Sequence, residues 1–268
     1  MKKIYSLLSS LILSSLVLCL AQTSGTVSKE ASMSFAERGD SAYEKDNFVA
    51  AEQFYLRAIK EEGSSPAIFY NLGNAYYRQG NLGKAVVNYE RALKLDPTDE
   101  DARTNLEFVQ EKLTDKQLDD GSVMTNLWNN ILAWFGADSW AWISILLFSV
   151  FIACAATYLF SSIISVRKFS FFGGIIVFFL TLGAVLVSFA AANRAQSSDY
   201  AIILPPSSQL STSPREARSQ SEQAFLLHEG TKVLVLDSIN TAAEGKWYEV
   251  RVGARERAWI KASEVEKI

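Results

Sequence analysis

Phe69-Tyr70-Asn71-Leu72-Gly73-Asn74-Ala75-Tyr76 opens a pattern that continues through Ala85, Tyr89, Ala92 and Pro97. The same pattern stands upstream at Phe35, Arg38, Gly39, Ala42, Ala51, Tyr55 and Ala58, at an offset of about 34 residues. A period of that length, with small residues at fixed places among apolar ones, describes a unit of two antiparallel helices. Gly39 and Gly73 mark the close approach on the first helix, Ala51 and Ala85 mark it on the second, and Tyr55, Tyr76 and Tyr89 fill the gaps. One unit cannot bury its apolar face alone, so units stack into a solenoid whose concave side suits extended or helical peptides. The signature residues are therefore read as packing. Binding falls to the groove-facing register of the first helices: Tyr43 in copy one, and Tyr70, Asn74, Tyr77 and Arg78 in copy two.

The pattern resembles the tetratricopeptide repeat, with units over residues 34–67 and 68–101. Asp99 to Leu113 begins a third copy with Leu106 in place, but Glu107 replaces the glycine, so 102–114 is predicted to be a capping helix. A clamp for a carboxylate terminus is not expected. Only Asn74 of the required set is present, and copy one offers Ala36 and Asp40. Because about three units are usually needed for stability, so short a solenoid is expected to lean on a partner or on the membrane.

Residues 1–21 have Lys2 and Lys3, an apolar run from Leu7 to Leu20, and Cys19-Leu20-Ala21 before Gln22, which reads as a secretory signal peptide. Lipidation at Cys19 is the alternative, disfavoured by Leu18 before it. Residues 22–33 read as a flexible segment. The chain has two cysteines, and cleavage after Ala21 would leave Cys154 alone, so neither an internal disulfide nor a cysteine metal site is expected.

Two uncharged apolar stretches, 140–166 and 169–192, each reach the roughly 20 residues that span a bilayer. Between them Arg167 and Lys168 are expected to form the cytoplasmic turn of a transmembrane hairpin. The signal peptide sends the preceding residues across the membrane. Both arguments place the two soluble parts outside the cytoplasm, in the periplasm of a bacterial inner membrane. Over 121–137, Met124, Leu127, Trp128, Ile131, Leu132 and Phe135 recur at helical spacing, predicting an amphipathic helix in the interface or a last cap on the solenoid. Small residues at Ala153 to Ala156, Gly173, Gly174, Gly183 and Ala184 permit close helix packing. Uncharged spans argue against a transporter, whose pathway would need ionisable groups.

After a linker at 193–198, residues 199–268 carry short alternating segments: Tyr200 to Leu204, Phe225 to Leu227, Lys232 to Leu236, Trp247 to Val252, Ala258 to Ile260 and Val265. Gly-containing turns between them predict a small antiparallel barrel. The Ala-Ile-Ile opening, the Leu-His-Glu-Gly-Thr turn, the Trp-Tyr-Glu-Val strand and the closing Ala-Trp-Ile resemble bacterial SH3-type domains. His228 is the one histidine and is read as a strand-end residue, while Trp247 and Trp259 are read as barrel core or rim.

The formal net charge is −3, and the repeat segment alone carries about −6. Nucleic acid is not an expected partner, and an acidic groove favours basic or neutral protein segments. No nucleophile motif, phosphate loop or paired carboxylates in a cleft are recognisable, so neither enzyme activity nor a cofactor is expected.

Signal peptide, repeats, hairpin and SH3-type domain, in that order, resemble the BatE proteins of the Bacteroides aerotolerance operons. The resemblance implies a non-enzymatic member of a stress-related membrane assembly. Its partners would be von Willebrand factor A-domain proteins, a MoxR-type ATPase and other products of that operon. The alternatives from the residues themselves are an envelope module binding peptidoglycan through the terminal domain, and a regulatory envelope sensor.

Overall fold

The computed structural model describes residues 33–115, 127, 131, 135–197, 199–242, 245–253 and 256–268. The signal peptide and nearly all of the 22–33 segment lie outside these residues. So does most of the expected interfacial helix, of which Leu127 and Ile131 are helical.

Five helices form the solenoid: α1 (Phe35–Glu44), α2 (Phe48–Glu61), α3 (Pro66–Arg78), α4 (Leu82–Leu95) and α5 (Glu100–Gln110). Each start is written locally. Ser34, Asn47, Ser65, Asn81 and Asp99 accept a hydrogen bond from the backbone N–H three residues on, satisfying one orphan donor of each helix. Ser34 and Glu37 complete a reciprocal capping box.

The two units share one packing device. A Cβ on Gly39 would lie 2.4 Å from the Tyr55 ring, and one on Gly73 would lie 2.7 Å from Tyr89. Each ring thus occupies the space its glycine leaves, and each hydroxyl donates at 2.7 Å across the unit, Tyr55 to Asp40 Oδ1 and Tyr89 to Asn74 Oδ1. Burial pushes both phenols far up, so they stay protonated donors. Ala51, Ala58, Ala85 and Ala92 are fully buried and Tyr76 nearly so. Pro97 follows α4 in the turn to α5.

Two long apolar helices follow, α6 (Ala137–Phe160) and α7 (Ile164–Gln196). Both are long and apolar enough to cross a membrane, and their most apolar windows are 0 % and 17 % buried against the described residues. The break between them is Ser161–Ile163, where Ser161 Oγ accepts from the Ile163 N–H at 3.3 Å. The turn therefore lies earlier than expected: Arg167 and Lys168 stand in the first turns of α7, with the Arg167 guanidinium over the Tyr158 ring. A serine side chain offers the backbone a local partner and so ends a helix more readily than a basic pair does. Within the pair, a Cβ on Gly174 would meet Cys154 at an ordinary 3.5 Å, whereas Gly173 and Gly183 face open space.

The C-terminal part is an antiparallel sheet of β1 (Tyr200–Ile203), β2 (Ser207–Ser211), β3 (Gln223–His228), β4 (Lys232–Thr241), β5 (Gly245–Val252), β6 (Glu256–Lys261) and β7 (Val265–Lys267). The order across it is β3-β2-β6-β5-β4-β1-β7. β2 falls in a stretch read from sequence only as polar. Its inward residues are Ser208, Leu210 and Ser211, so two of three buried positions are serines and the apolar alternation is hidden. Ala201, Ile203, Leu210, Val233, Val250 and Ile260 centre the sheet core. Ile202 points the other way and is fully buried in the solenoid core. The period-two alternation of one strand thus serves two cores.

Candidate functional site: the two faces of the solenoid

The first helices of the units, α1, α3 and α5, stand side by side and join through polar and aromatic side chains. Asn71 donates to Asp40 Oδ1 at 3.0 Å across α1 and α3. Asn105 of α5 donates to Asn74 Oδ1 at 2.8 Å and to the Tyr70 hydroxyl at 3.3 Å. Tyr77 meets Phe108 edge to face at 5.8 Å, and the Lys112 ammonium lies over both rings and bonds the Tyr77 hydroxyl. At the other end Arg78 sits over Phe48 at 4.2 Å and Tyr43 at 5.9 Å and pairs with Asp46 at 3.0 Å.

All five groove positions named from register therefore fall on these first helices, but they divide. Tyr70 and Asn74 are half-buried and hold neighbouring helices, so they shape the groove floor. Tyr43 and Tyr77 pack partly against the core and offer a ring edge, while Arg78 is exposed. Register reasoning missed Phe108, which is 49 % exposed on α5, together with Asn105 and Lys112. The signal was available. Carrying the repeat offset into the third helix places Phe108 at the register of Asn74 and Asn105 at that of Asn71, but Glu107 in the glycine position made α5 read only as a cap.

The opposite side is occupied by the sheet. Glu229 in the β3–β4 turn accepts from the Gly83 N–H at 2.7 Å, at the N-terminal end of α4. Glu90 takes Lys232 with both oxygens at 2.8 Å, and Arg91 reaches Glu266 and the Lys267 carbonyl, each at 2.7 Å. Lys94 donates to the Ser197 and Ile268 main-chain oxygens. At the end of the solenoid, Asp115 accepts from the His228 N–H and the Thr231 hydroxyl at 2.7 Å, and its other oxygen meets His228 Nδ1 at 2.9 Å. Burial pushes the Asp115 carboxyl up, but these hydrogen bonds prevail and hold it below its ordinary range. His228 is thus a docking residue. Apolar contact closes the seam where Ile202, Leu204 and Ile268 meet the solenoid core and Leu113 covers Gly230.

The two faces differ in kind. One is already filled by a module of the same chain, through bonds that are mostly charge-assisted and half-buried. The other keeps aromatic edges and two cations toward solvent.

Comparison with known proteins supports the repeat alone. The tetratricopeptide repeat family matches residues 66–99. Tetratricopeptide repeat protein 16 from Homo sapiens and from Macaca fascicularis is 35 % identical over 57 residues, and that from Mus musculus 37 %. The match takes 21 % of this chain and about 6–7 % of the length of those relatives. Tetratricopeptide repeats give the chain a protein–protein interaction role in general terms, through partners that the similarity does not identify.

Proposed function

We propose that the protein is a non-enzymatic, membrane-anchored scaffold whose solenoid groove holds a segment of a partner protein. One observation carries this reading: among the described residues the row Tyr43, Tyr77 and Phe108, flanked by Arg78 and Lys112, remains open on one face while the opposite face is used up by the chain's own sheet. Aromatic rings supply contact area at low entropic cost, and asparagines on the floor can exchange hydrogen bonds with a peptide backbone.

Two helices with long uncharged stretches and exposed apolar sides support anchoring in a bilayer. The solenoid precedes the pair and the sheet follows it, and contact between them supports a hairpin with both ends on one side of the membrane. On that reading both modules lie in the periplasm, at the inner membrane. The order of parts supports membership in a BatE-like, stress-related assembly, with von Willebrand factor A-domain proteins as partners. The C-terminal sheet is taken as an SH3-type domain from its strand wording, and here it acts as a brace for the solenoid.

A photo-crosslinking residue placed at Tyr77 or Phe108 of the full chain in intact cells tests the groove. The expected result is a discrete adduct that disappears in Arg78→Glu. Adducts of equal yield from the exposed Val49 position, on the second helix of the first unit, would remove the groove from the account.

A further inference from the structure

The face with which a unit meets the unit before it is built differently at the start of the solenoid. In the second unit that face carries Leu72, Ala75 and Tyr76, all buried in one core with Ala51 and Tyr55 of α2. Beside them Gln79 donates to the Phe48 carbonyl at 3.3 Å and to Glu52 Oε2 at 3.0 Å. Leu106 and Val109, at the same register of α5, are buried likewise. The second helix of the preceding unit thus covers this face each time, and α2 brings a carboxylate to the edge of it.

At the same register α1 has Arg38, Ser41, Ala42 and Lys45 in place of Leu72, Ala75, Tyr76 and Gln79. Ala42 leaves the space of a tyrosine ring unfilled. A cleft of about 360 Å³ opens there, with Met33, Ala42, Ala50 and Phe54 as its apolar lining and Arg38 and Lys45 as its charges. The Arg38 guanidinium lies over the Phe54 ring at 4.5 Å, and Arg57 lies over Phe35 at 4.7 Å. No carboxylate lines the cleft, and among the described residues none forms an ion pair with Arg38, Lys45 or Arg57. Glu37 and Glu62 are held by the Ser34 and Phe35 N–H groups. A terminal unit made only for solubility needs a polar outer face of either sign. Here both charges of the lining are positive, and an apolar gap stays open between them.

We propose that this cleft docks an acidic helix of a partner protein, laid in the place that α2 takes on α3. Its apolar side fills the gap between Ala42 and Phe54, and carboxylates along its edge meet Arg38 and Lys45, as Glu52 meets Gln79 one unit on. A guanidinium stacked on a ring keeps its in-plane N–H donors for a carboxylate, so Arg38 holds ring and ligand together. The short solenoid gains through this contact a neighbour at its open end. None of the groove residues takes part, so the inference stands apart from the groove reading.

A diazirine side chain placed at Ser41 of the full chain in intact cells, with the crosslinked peptide sequenced by mass spectrometry, tests it. The expected result is a discrete adduct to a segment of another protein in which Asp or Glu recurs at helical spacing. Its yield falls about tenfold in Lys45→Glu and about fivefold in Arg38→Gln, and is kept in Lys45→Arg. Lys45 is exposed at the C-cap of α1, so reversing its charge leaves the solenoid folded. Adducts to residues 22–32 of the same chain, or to a second copy of it, overturn the proposal, because the protein would then fill its own cleft. Absence of an adduct, an adduct to a segment without carboxylates, or a yield unchanged in either Lys45→Glu or Arg38→Gln overturns it as well. Each of these results leaves the groove reading in place, since groove adducts are read from Tyr77 and Phe108.

Discussion

Helices α2 and α4 occupy the same place in successive units, yet their outer faces have opposite fates. Where α2 has Val49, Glu52, Gln53 and Leu56, α4 has Gly83, Val86, Val87 and Glu90. Val49 is 56 % exposed and Leu56 45 %, whereas Val86 and Val87 are fully buried. A Cβ on Gly83 would lie 2.9 Å from the Glu229 side chain and 3.0 Å from the Ile203 carbonyl. One helix thus keeps an ordinary solvent face, and the other has been rewritten to receive a sheet. The contrast teaches that positions outside a repeat's signature record what each unit touches. In α4 the valines widen the apolar face of an amphipathic helix, and the sheet covers that extension.

Exchanging residues between the two helices tests the contrast most severely. Gly83→Val, which installs the residue of copy one, forces Glu229 and the Ile203 backbone away and should cost about 3 kcal/mol of docking. Faster hydrogen exchange in β1 and at the start of α4 would report it. Unchanged protection would show that the seam does not depend on close approach there.

Asp115→Ala removes three hydrogen-bonding contacts from a carboxylate that is 20 % exposed, for a loss of about 2 kcal/mol. The same group gives the seam an acid limit. Its carboxyl is held below the ordinary 3.8 when folded, so its contribution is complete above that value and is lost as pH falls through the lower folded-state value. Limited proteolysis of the linker after α7 across that range should show opening on acidification, with a shallower dependence in Asp115→Asn. Opening that begins on the alkaline side would contradict the assignment.

The reciprocal exchange Val49→Gly touches no seam and should cost only the propensity of one exposed helical position, about 1 kcal/mol. Thermal unfolding followed by helical signal would measure it, and a loss as large as that of Gly83→Val would erase the distinction between the two helices. Of similar size is Phe108→Ser, about 1 kcal/mol in stability, because the half-exposed ring loses its edge-to-face contact with Tyr77 and the Lys112 ammonium above it. It should nevertheless abolish groove adducts, separating binding from folding.

Much of this could be seen in the sequence because repeat packing is periodic. Gly39 against Tyr55 and Gly73 against Tyr89 obey one rule at one offset, and the apolar helices announce themselves by composition. The seam was harder to see because its partners are far apart and follow no period: Glu229 with Gly83, Lys232 with Glu90, His228 with Asp115. Charged side chains on a helix look the same whether they face water or a docked module. The difference between copies, valines in place of Glu52 and Gln53, was the legible clue. The turn of the hairpin was misplaced for a related reason: a basic pair marks a side of the membrane and not the residue where the helix ends.

The Asp115 contacts also impose an order of events. The residues they join are separated by 113 positions in the chain, with both apolar helices lying between. The repeats are local and can fold as they emerge, but the sheet is made last and reaches Asp115 only after both apolar helices have been made. A chain whose second helix stalls would leave α4 with an uncovered apolar flank of Val86 and Val87, the kind of surface that quality-control proteases and chaperones engage. The clasp is thus a record that the whole chain was completed, written in a contact that no truncated chain can make.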